Sequence, residues 1–301
     1  MLWRFLQVSD PHLGSESVGR WNNGFICTMM PDVMRCLKGD IAKLDPDFIL
    51  ATGDLASFKS KDAIYASRDL MDSLGYPYYP MGGNHDFVVE ESREWFMDAF
   101  HAHLPDRSTY YAVEHKGIRF LILDAWWLWS DDTVSPFSEA EIADRQQVDL
   151  IGARWVIPDE QIEWLKNELS ERQDMPTLVI CHYPAFGVPE RLQRPTLQDG
   201  GHLQNGTEIQ EILIQHPQVK AYISGHLHMH IIEKVGDVTH IVTGALPEYP
   251  TEYRDFHVYE DRIEIHTLGL SDPSFAARSL IPGNGFTAGH PCDRVATIPL
   301  A

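Results

Sequence analysis

Apolar and polar positions along this chain switch between a period near two and a period near four, and the switches mark its elements. Residues 4–9, with Phe5, Leu6 and Val8, read as a buried strand opening the domain. Residues 30–44 follow the helical period and stop at Asp45-Pro46, because a proline disfavours helix in the residue before it. Residues 47–52 form the next strand, residues 61–74 the next helix, closed by Gly75, and residues 77–81 a third strand. A strand–helix–strand–helix–strand order predicts parallel strands joined by right-handed crossovers.

Beyond residue 110 the pattern changes. Residues 110–114 and 118–124 predict a hairpin around His115-Lys116-Gly117. Residues 159–173 predict an amphipathic helix with Ile162, Leu165 and Leu169 on one face. Strands are expected at 177–181 and 219–224, with a helix at 207–215 between them that Asn205 is placed to cap. Residues 229–235, 238–243, 256–259 and 262–268 read as a run of antiparallel strands. Two segments break the alternation: an insertion at 125–158 carrying Trp126, Trp127 and Trp129, and a Gly- and Pro-containing tail at 271–301. Loops of that length usually serve a function or are disordered.

Five polar motifs sit at or just beyond strand C-terminal ends: Asp10-Pro11-His12, Gly53-Asp54, Gly83-Asn84-His85-Asp86, His182 after Cys181, and Gly225-His226-Leu227-His228. That edge of an open α/β sheet is where ligand crevices form. Singly, an Asp-x-His or Gly-Asp is most often a turn or cap, and a lone histidine a satisfied core residue. Gly-Asn-His-Asp arises by chance in roughly one chain in a thousand, and Gly-His-x-His in about one in a hundred. Five together, in order and all after strands, point to a ligand site. Aspartate offers a hard oxygen able to bridge two cations, and neutral imidazole suits Zn, Fe, Mn or Co. Strand alternation points Cys181 away from the side that His182 faces.

The formal net charge of −20 argues against a nucleic-acid partner, since such proteins present Lys/Arg surfaces to phosphates. No apolar run approaches the ~20 residues of a membrane span. Residues 1–8 lack the basic start of a signal peptide. Cys27, Cys36, Cys181 and Cys292 show neither metal spacing nor a dense disulfide pattern, so a reduced, cytoplasmic compartment is the simplest expectation.

Taken as a set, Asp-x-His, Gly-Asp, Gly-Asn-His-Asp, His and Gly-His-x-His over residues 10–228 resemble the calcineurin-like metallophosphoesterase superfamily. Gln161-Ile162-Glu163-Trp164-Leu165 and Leu203-Gln204-Asn205 make the chain most similar to its class III cyclic-nucleotide phosphodiesterase and glycerophosphodiesterase group. The resemblance implies an α/β fold, a four-layer αββα sandwich of two mixed sheets flanked by helices. It implies a catalytic domain at 1–270 with an insertion at 125–158. The 271–301 tail is expected, from its length and composition, as a lid or oligomer contact. It also implies two transition-metal ions (Fe, Mn, Zn or Co). Asp10, His12, Asp54 and His228 match the first metal's ligands; Asp54, Asn84, His182 and His226 match the second's, with Asp54 bridging. His85 matches the catalytic histidine, which protonates the leaving alkoxide after attack by a metal-bridging hydroxide, and Asp86 is a candidate to orient it.

Departures from the superfamily's other branches narrow the reading. Residues 53–58 run Gly-Asp-Leu-Ala-Ser-Phe, without the arginine of protein phosphatases. Ser57 stands where purple acid phosphatases have a tyrosine ligand. Cys181-His182-Tyr183-Pro184 replaces the His-His-Pro-Pro common in the phosphodiesterase group, which bears on the substrate more than on the metals. The expected activity is hydrolysis of small phosphodiesters, of cyclic-nucleotide or glycerophosphodiester type. A phosphomonoesterase is the closest rival. The acidic charge weighs against a nuclease, and the complete motif set weighs against a non-catalytic scaffold. The tryptophans of the insertion could pack in the core, stack on a substrate, or anchor a partner copy in a homo-oligomer.

Overall fold

The computed structural model describes residues 1–14, 19–57, 60–87, 91–125, 127–130, 133–136 and 155–300, with 127–130 and 133–136 described through their backbone. In chain order the strands are β1 (Trp3–Val8), β2 (Gly19–Arg20), β3 (Gly24–Phe25), β4 (Phe48–Thr52), β5 (Tyr78–Met81), β6 (Tyr111–His115), β7 (Ile118–Leu123), β8 (Trp127–Ser130) and β9 (Thr133–Pro136). They continue with β10 (Thr177–Cys181), β11 (Val219–Ser224), β12 (Ile231–Val235), β13 (Val238–Val242), β14 (Glu252–Val258), β15 (Arg262–Gly269) and β16 (Val295–Pro299).

These strands build two six-stranded sheets, ordered β16-β15-β14-β1-β4-β5 and β12-β13-β11-β10-β7-β6. In the first, β1, β4 and β5 are parallel, as the alternating strands and helices predict, and β14 to β16 are antiparallel. In the second, β7, β10, β11 and β13 are parallel, with β6 and β12 as antiparallel edges. Aromatics seal the sheets together. Phe5 stacks on Phe256 at 4.4 Å and meets Phe120 of the opposite sheet edge-on at 5.4 Å. Burying each such ring contributes about 1.5–3 kcal/mol.

The helices flank this pair of sheets, giving the expected mixed-sheet α/β architecture. Met30–Leu44 buries Val33, Met34, Leu37 and Ile41 on one stripe and ends with Asp45 in a left-handed conformation. Lys61–Asp72 begins where the Ser60 side chain accepts the Ala63 N–H. Asp159–Glu171 buries Ile162, Leu165 and Leu169, as its periodicity predicts.

Three expectations are corrected. The antiparallel run divides between the sheets: β12 and β13 form a hairpin in the second, while β14, which starts at Glu252, pairs with β1 in the first. Alternation reports a buried face but not which sheet owns it. Asn205 precedes the helix Gly206–Ile214 without capping it by its side chain; its amide instead makes a reciprocal pair with the backbone of Ile157. The tail is regular in part: Ser274–Ser279 is helical and β16 adds an edge to the first sheet. In the insertion, β8 and β9 form a two-stranded ribbon and Trp155 is buried; Trp126 and the side chains of Trp127 and Trp129 lie outside the described residues. Among the described residues, no helix is long and apolar enough to cross a membrane, and all four cysteines are free.

Candidate metal centre

The five motifs leave the C-terminal ends of β1, β4, β5, β10 and β11, and the two sheets bring them to one edge. Backbone bonds tie the loops together: Asp10 N–H to the Gly53 carbonyl (3.1 Å), His12 N–H to that of Asp54 (3.0 Å), and Gly225 N–H to that of His182 (3.0 Å). Asp10, His12, Asp54, His226 and His228 all have positive φ, between 43° and 67°. Such conformations cost of order 1–3 kcal/mol each and persist where the surroundings enforce them, most often at functional sites. Crowding explains two of the motif glycines. A Cβ on Gly83 would fall 2.3 Å from Asp54 Oδ1, and one on Gly225 would fall 2.4 Å from Asp10 Oδ2.

Two donor groups share one residue. Asp10, His12, Asp54 and His228 form the first; Asp54, His182 and His226 form the second, and in each the ligand atoms lie within 4.8 Å of one another. His12 Nε2 is 3.2 Å from His228 Nε2 and 3.9 Å from Asp54 Oδ2. Asp10 Oδ1 is 3.4 Å from His228 Nε2, and Asp54 Oδ2 is 3.4 Å from His182 Nε2. Asn84 Oδ1 joins the second group, 3.2 Å from His182 Nε2 and 3.1 Å from His226 Nδ1. All seven residues expected as ligands therefore converge.

The far nitrogen of three imidazoles sets the tautomer of each. His182 Nδ1 faces the Thr52 carbonyl at 2.9 Å, His226 Nε2 the Gly200 carbonyl at 2.7 Å, and His228 Nδ1 the Glu248 carboxylate at 2.7 Å. Those oxygens only accept, so the facing nitrogens carry the protons, and a neutral ring turns its lone pair inward. Sequence reasoning missed Glu248, Gly200 and Thr52 in this role. Glu248 is fully buried, 20 residues beyond His228, and also accepts the Asn23 N–H. No short-range spacing announces it.

Charge balance shows what the pocket lacks. Asp10 and Asp54 are buried, and among the described residues neither forms an ion pair with Lys or Arg. Burial pushes against ionisation of both, yet the histidines, His182 foremost, hold Asp10 below and Asp54 well below the usual carboxylate range. Burial likewise opposes a charge on His182, but Asp54 and Asp10 outweigh it and raise the ring to about 9. His228 rises to about 10: bonds to Asp10 and Glu248 overcome its burial. His12 and His226 fall to about 3 through burial, reinforced by His85 and His182 respectively. Two buried carboxylates thus draw protons onto two imidazoles. Cations displace such protons on binding, so the donor set fits a pair of metals.

His85 stands apart from the ligands. Its side chain is exposed, its ring meets that of His12 edge-on at 4.7 Å, and its N–H donates to Asp54 Oδ1 at 2.8 Å. Asp86 does not orient it. The buried Asp86 carboxylate instead accepts the N–H groups of Leu55, Ala56 and Gly83, joining the loops after β4 and β5. Burial, then repulsion from Asp54, pushes Asp86 up to about 7 against those three bonds. Tyr183 packs on His226, with ring centroids 4.0 Å apart, and its hydroxyl reaches Asn84 Oδ1 at 3.4 Å. Cys181 is buried beside Tyr222 and belongs to neither donor group.

A third cluster, His257, Glu264 and His266, lies half-buried on β14 and β15. Guanidinium groups already engage it: Arg4 reaches His257 Nε2 at 2.7 Å and Arg262 donates to Glu264 Oε1 at 2.8 Å. That positive charge disfavours a cation there.

Known proteins resemble this chain in sequence and in fold. The family profile described as calcineurin-like phosphoesterase matches residues 4–230. A probable cyclic nucleotide phosphodiesterase of Synechococcus sp. is 26% identical over 281 residues, covering 90% of this chain and 94% of the relative. A probable glycerophosphodiester phosphodiesterase of Arcobacter nitrofigilis is 23% identical over 234 residues, covering 74% and 71%. Among solved structures, a dimetal phosphatase from Danio rerio superposes with a TM-score of 0.71 at 16% identity, covering 100% of this chain and 99% of the other, a likeness of fold.

Proposed function

This chain belongs to the calcineurin-like phosphoesterase family, and from that premise we propose that it hydrolyses small phosphodiesters, of the cyclic-nucleotide or glycerophosphodiester kind, at a dinuclear metal centre. The observation that carries the reading is the sharing of Asp54 between two donor groups. Asp10, His12, Asp54 and His228 would hold one ion, and Asp54, Asn84, His182 and His226 the other. Fe, Mn, Zn and Co all suit such mixed nitrogen and oxygen donors. When bound, the pair supplies Lewis-acid activation of water and neutralises the phosphate.

The remaining work falls to the chain itself. His85 is exposed beside the donor groups, so its ring can reach a substrate oxygen without leaving its loop. In this reading it gives a proton to the departing alkoxide. Its backbone bond to Asp54 keeps it in register with the donors. Thr52, Gly200 and Glu248 hold three imidazoles in the ligating tautomer. The substrate class draws support from the phosphodiesters named for the two relatives.

The test is a panel of aryl phosphodiesters and matched monoesters on metal-replete protein. Diester cleavage should equal or exceed monoester cleavage. A strong monoester preference would replace the diester reading with the phosphomonoesterase one.

A further inference from the structure

A chain of five hydrogen bonds runs in one direction from a buried guanidinium to Asp10. Arg254 Nε donates to Thr243 Oγ1 at 3.1 Å. Thr243 donates its hydroxyl to Gln7 Oε1 at 2.6 Å. Gln7 Nε2 donates to Thr52 Oγ1 at 3.0 Å. The Thr52 hydroxyl donates to Ser9 Oγ at 2.8 Å, and Ser9 donates to Asp10 Oδ2 at 2.5 Å. All six side chains are buried.

The two ends dictate the direction. A guanidinium only donates, and an ionised carboxylate only accepts. In the middle, the Ser224 carbonyl takes a second bond from Gln7 Nε2 at 3.0 Å, which fixes which end of the amide faces Thr52. Each hydroxyl is left with one way to point. The chain also stitches the sheets together: Gln7 and Thr52 lie on β1 and β4, Arg254 on β14, and Thr243 follows β13 of the opposite sheet. Arg254 is itself held, donating to Thr267 Oγ1 (2.8 Å), the Val242 carbonyl (3.0 Å) and the Asp293 carbonyl of the C-terminal segment (2.9 Å).

We propose that this relay positions Asp10 for metal binding, with Ser9, Thr52, Gln7 and Thr243 as positioning residues and Arg254 as the fixed end. The inference rests on the reading of Asp10 as a ligand. Ser9 and the His226 N–H hold Oδ2, while Oδ1, which shares that N–H at 3.2 Å, turns toward His228 Nε2 at 3.4 Å and His182 Nε2 at 3.8 Å. In a low-dielectric interior, hydrogen bonds in series polarise one another. Removing a distant link therefore weakens the grip of Ser9 on the carboxylate, most for links nearest Asp10.

The experiment measures Zn²⁺ affinity by chelator competition on the full chain, together with the Tm of the metal-free protein. Ser9→Ala should weaken zinc binding about 10–100-fold, the usual range for a residue supporting a ligand. Gln7→Leu should lose less, and Thr243→Val less again but measurably. Thr243→Ser, which keeps the hydroxyl, should bind as the native protein does. Ile241→Val, a core change two residues before Thr243, should lower Tm and leave zinc affinity alone. If Gln7→Leu does not fold, the near-isosteric Thr243→Val decides. The relay is overturned if Gln7→Leu and Thr243→Val behave like Ile241→Val, losing Tm at native zinc affinity. Asp10→Asn with full zinc content would instead overturn the ligand reading on which the relay rests.

Discussion

The two sheets bring different chemistry to their common edge. The first supplies every oxygen donor, Asp10, Asp54 and Asn84, together with His12 and the exposed His85. The second supplies three imidazoles, His182, His226 and His228. They are also stiffened differently. Each second-sheet histidine has its far nitrogen bonded to a fixed acceptor, whereas His12 Nδ1 is buried without a hydrogen-bond partner among the described residues. Left-handed conformations occur on both sides of the site, but the first-sheet donors are held chiefly by cross-loop backbone bonds and the Asp86 clasp. One side of the site thus fixes its carboxylates through loop backbone and the Ser9 hydroxyl. The other fixes tautomers through one acceptor per imidazole, two backbone carbonyls and the Glu248 carboxylate.

Asp54→Asn should break this division most completely, because Asp54 alone belongs to both donor groups. Metal content should fall from about two ions per chain to below one, with turnover at background, by elemental analysis and assay. Retention of two ions would remove Asp54 from the bridging role. His85→Ala should separate chemistry from binding on the first sheet. Both metals and the fold should remain while turnover drops roughly 10²–10⁴-fold. Metal loss in that variant would make His85 a ligand.

On the second sheet, Glu248→Ala should weaken metal binding about 10–100-fold, and Glu248→Gln, which can still accept from His228 Nδ1, should recover most of it. Equal losses in the two variants would mean that the acceptor does not set the tautomer. The smallest effect is expected at His240, which is buried in the middle of β13 and has no hydrogen-bond partner for Nδ1 among the described residues. Burial lowers it from 6.5 to about 4. Between those values the unfolded chain binds more protons there, so the contribution of neutral His240 to stability is lost as pH falls from 6.5 toward 4. His240→Phe should remove that dependence, and its Tm advantage over the native protein should grow across the window. Parallel Tm curves would contradict this account.

Much of the fold was legible because its signals are local. The helix at Met30–Leu44 shows its apolar stripe and its stop within 17 residues, and β1, β4 and β5 are apolar runs set between helices. The donors were legible for the same reason, since each stands one or a few residues past a strand end, where parallel topology exposes it. The tail was not: β16 is short, buries only Ile298 and finds its place only by pairing with β15. Asn205 also misled, since its amide serves the backbone of a residue 48 positions away instead of its own helix.

By itself the sequence determined the seven candidate ligands, His85, and the order in which strands deliver them, because residue type and strand position are properties of short segments. Tertiary structure alone decided which nitrogen of each imidazole faces inward, that Asp86 clasps two loops, and that Arg254 connects through Gln7 and Ser9 to Asp10. The physical reason is that a hydrogen bond needs its partner within about 3 Å and at the right angle. For the bonds that set the tautomers and link Gln7 to its neighbours the partner is 20 to 236 residues away along the chain, and only the tertiary fold closes the gap.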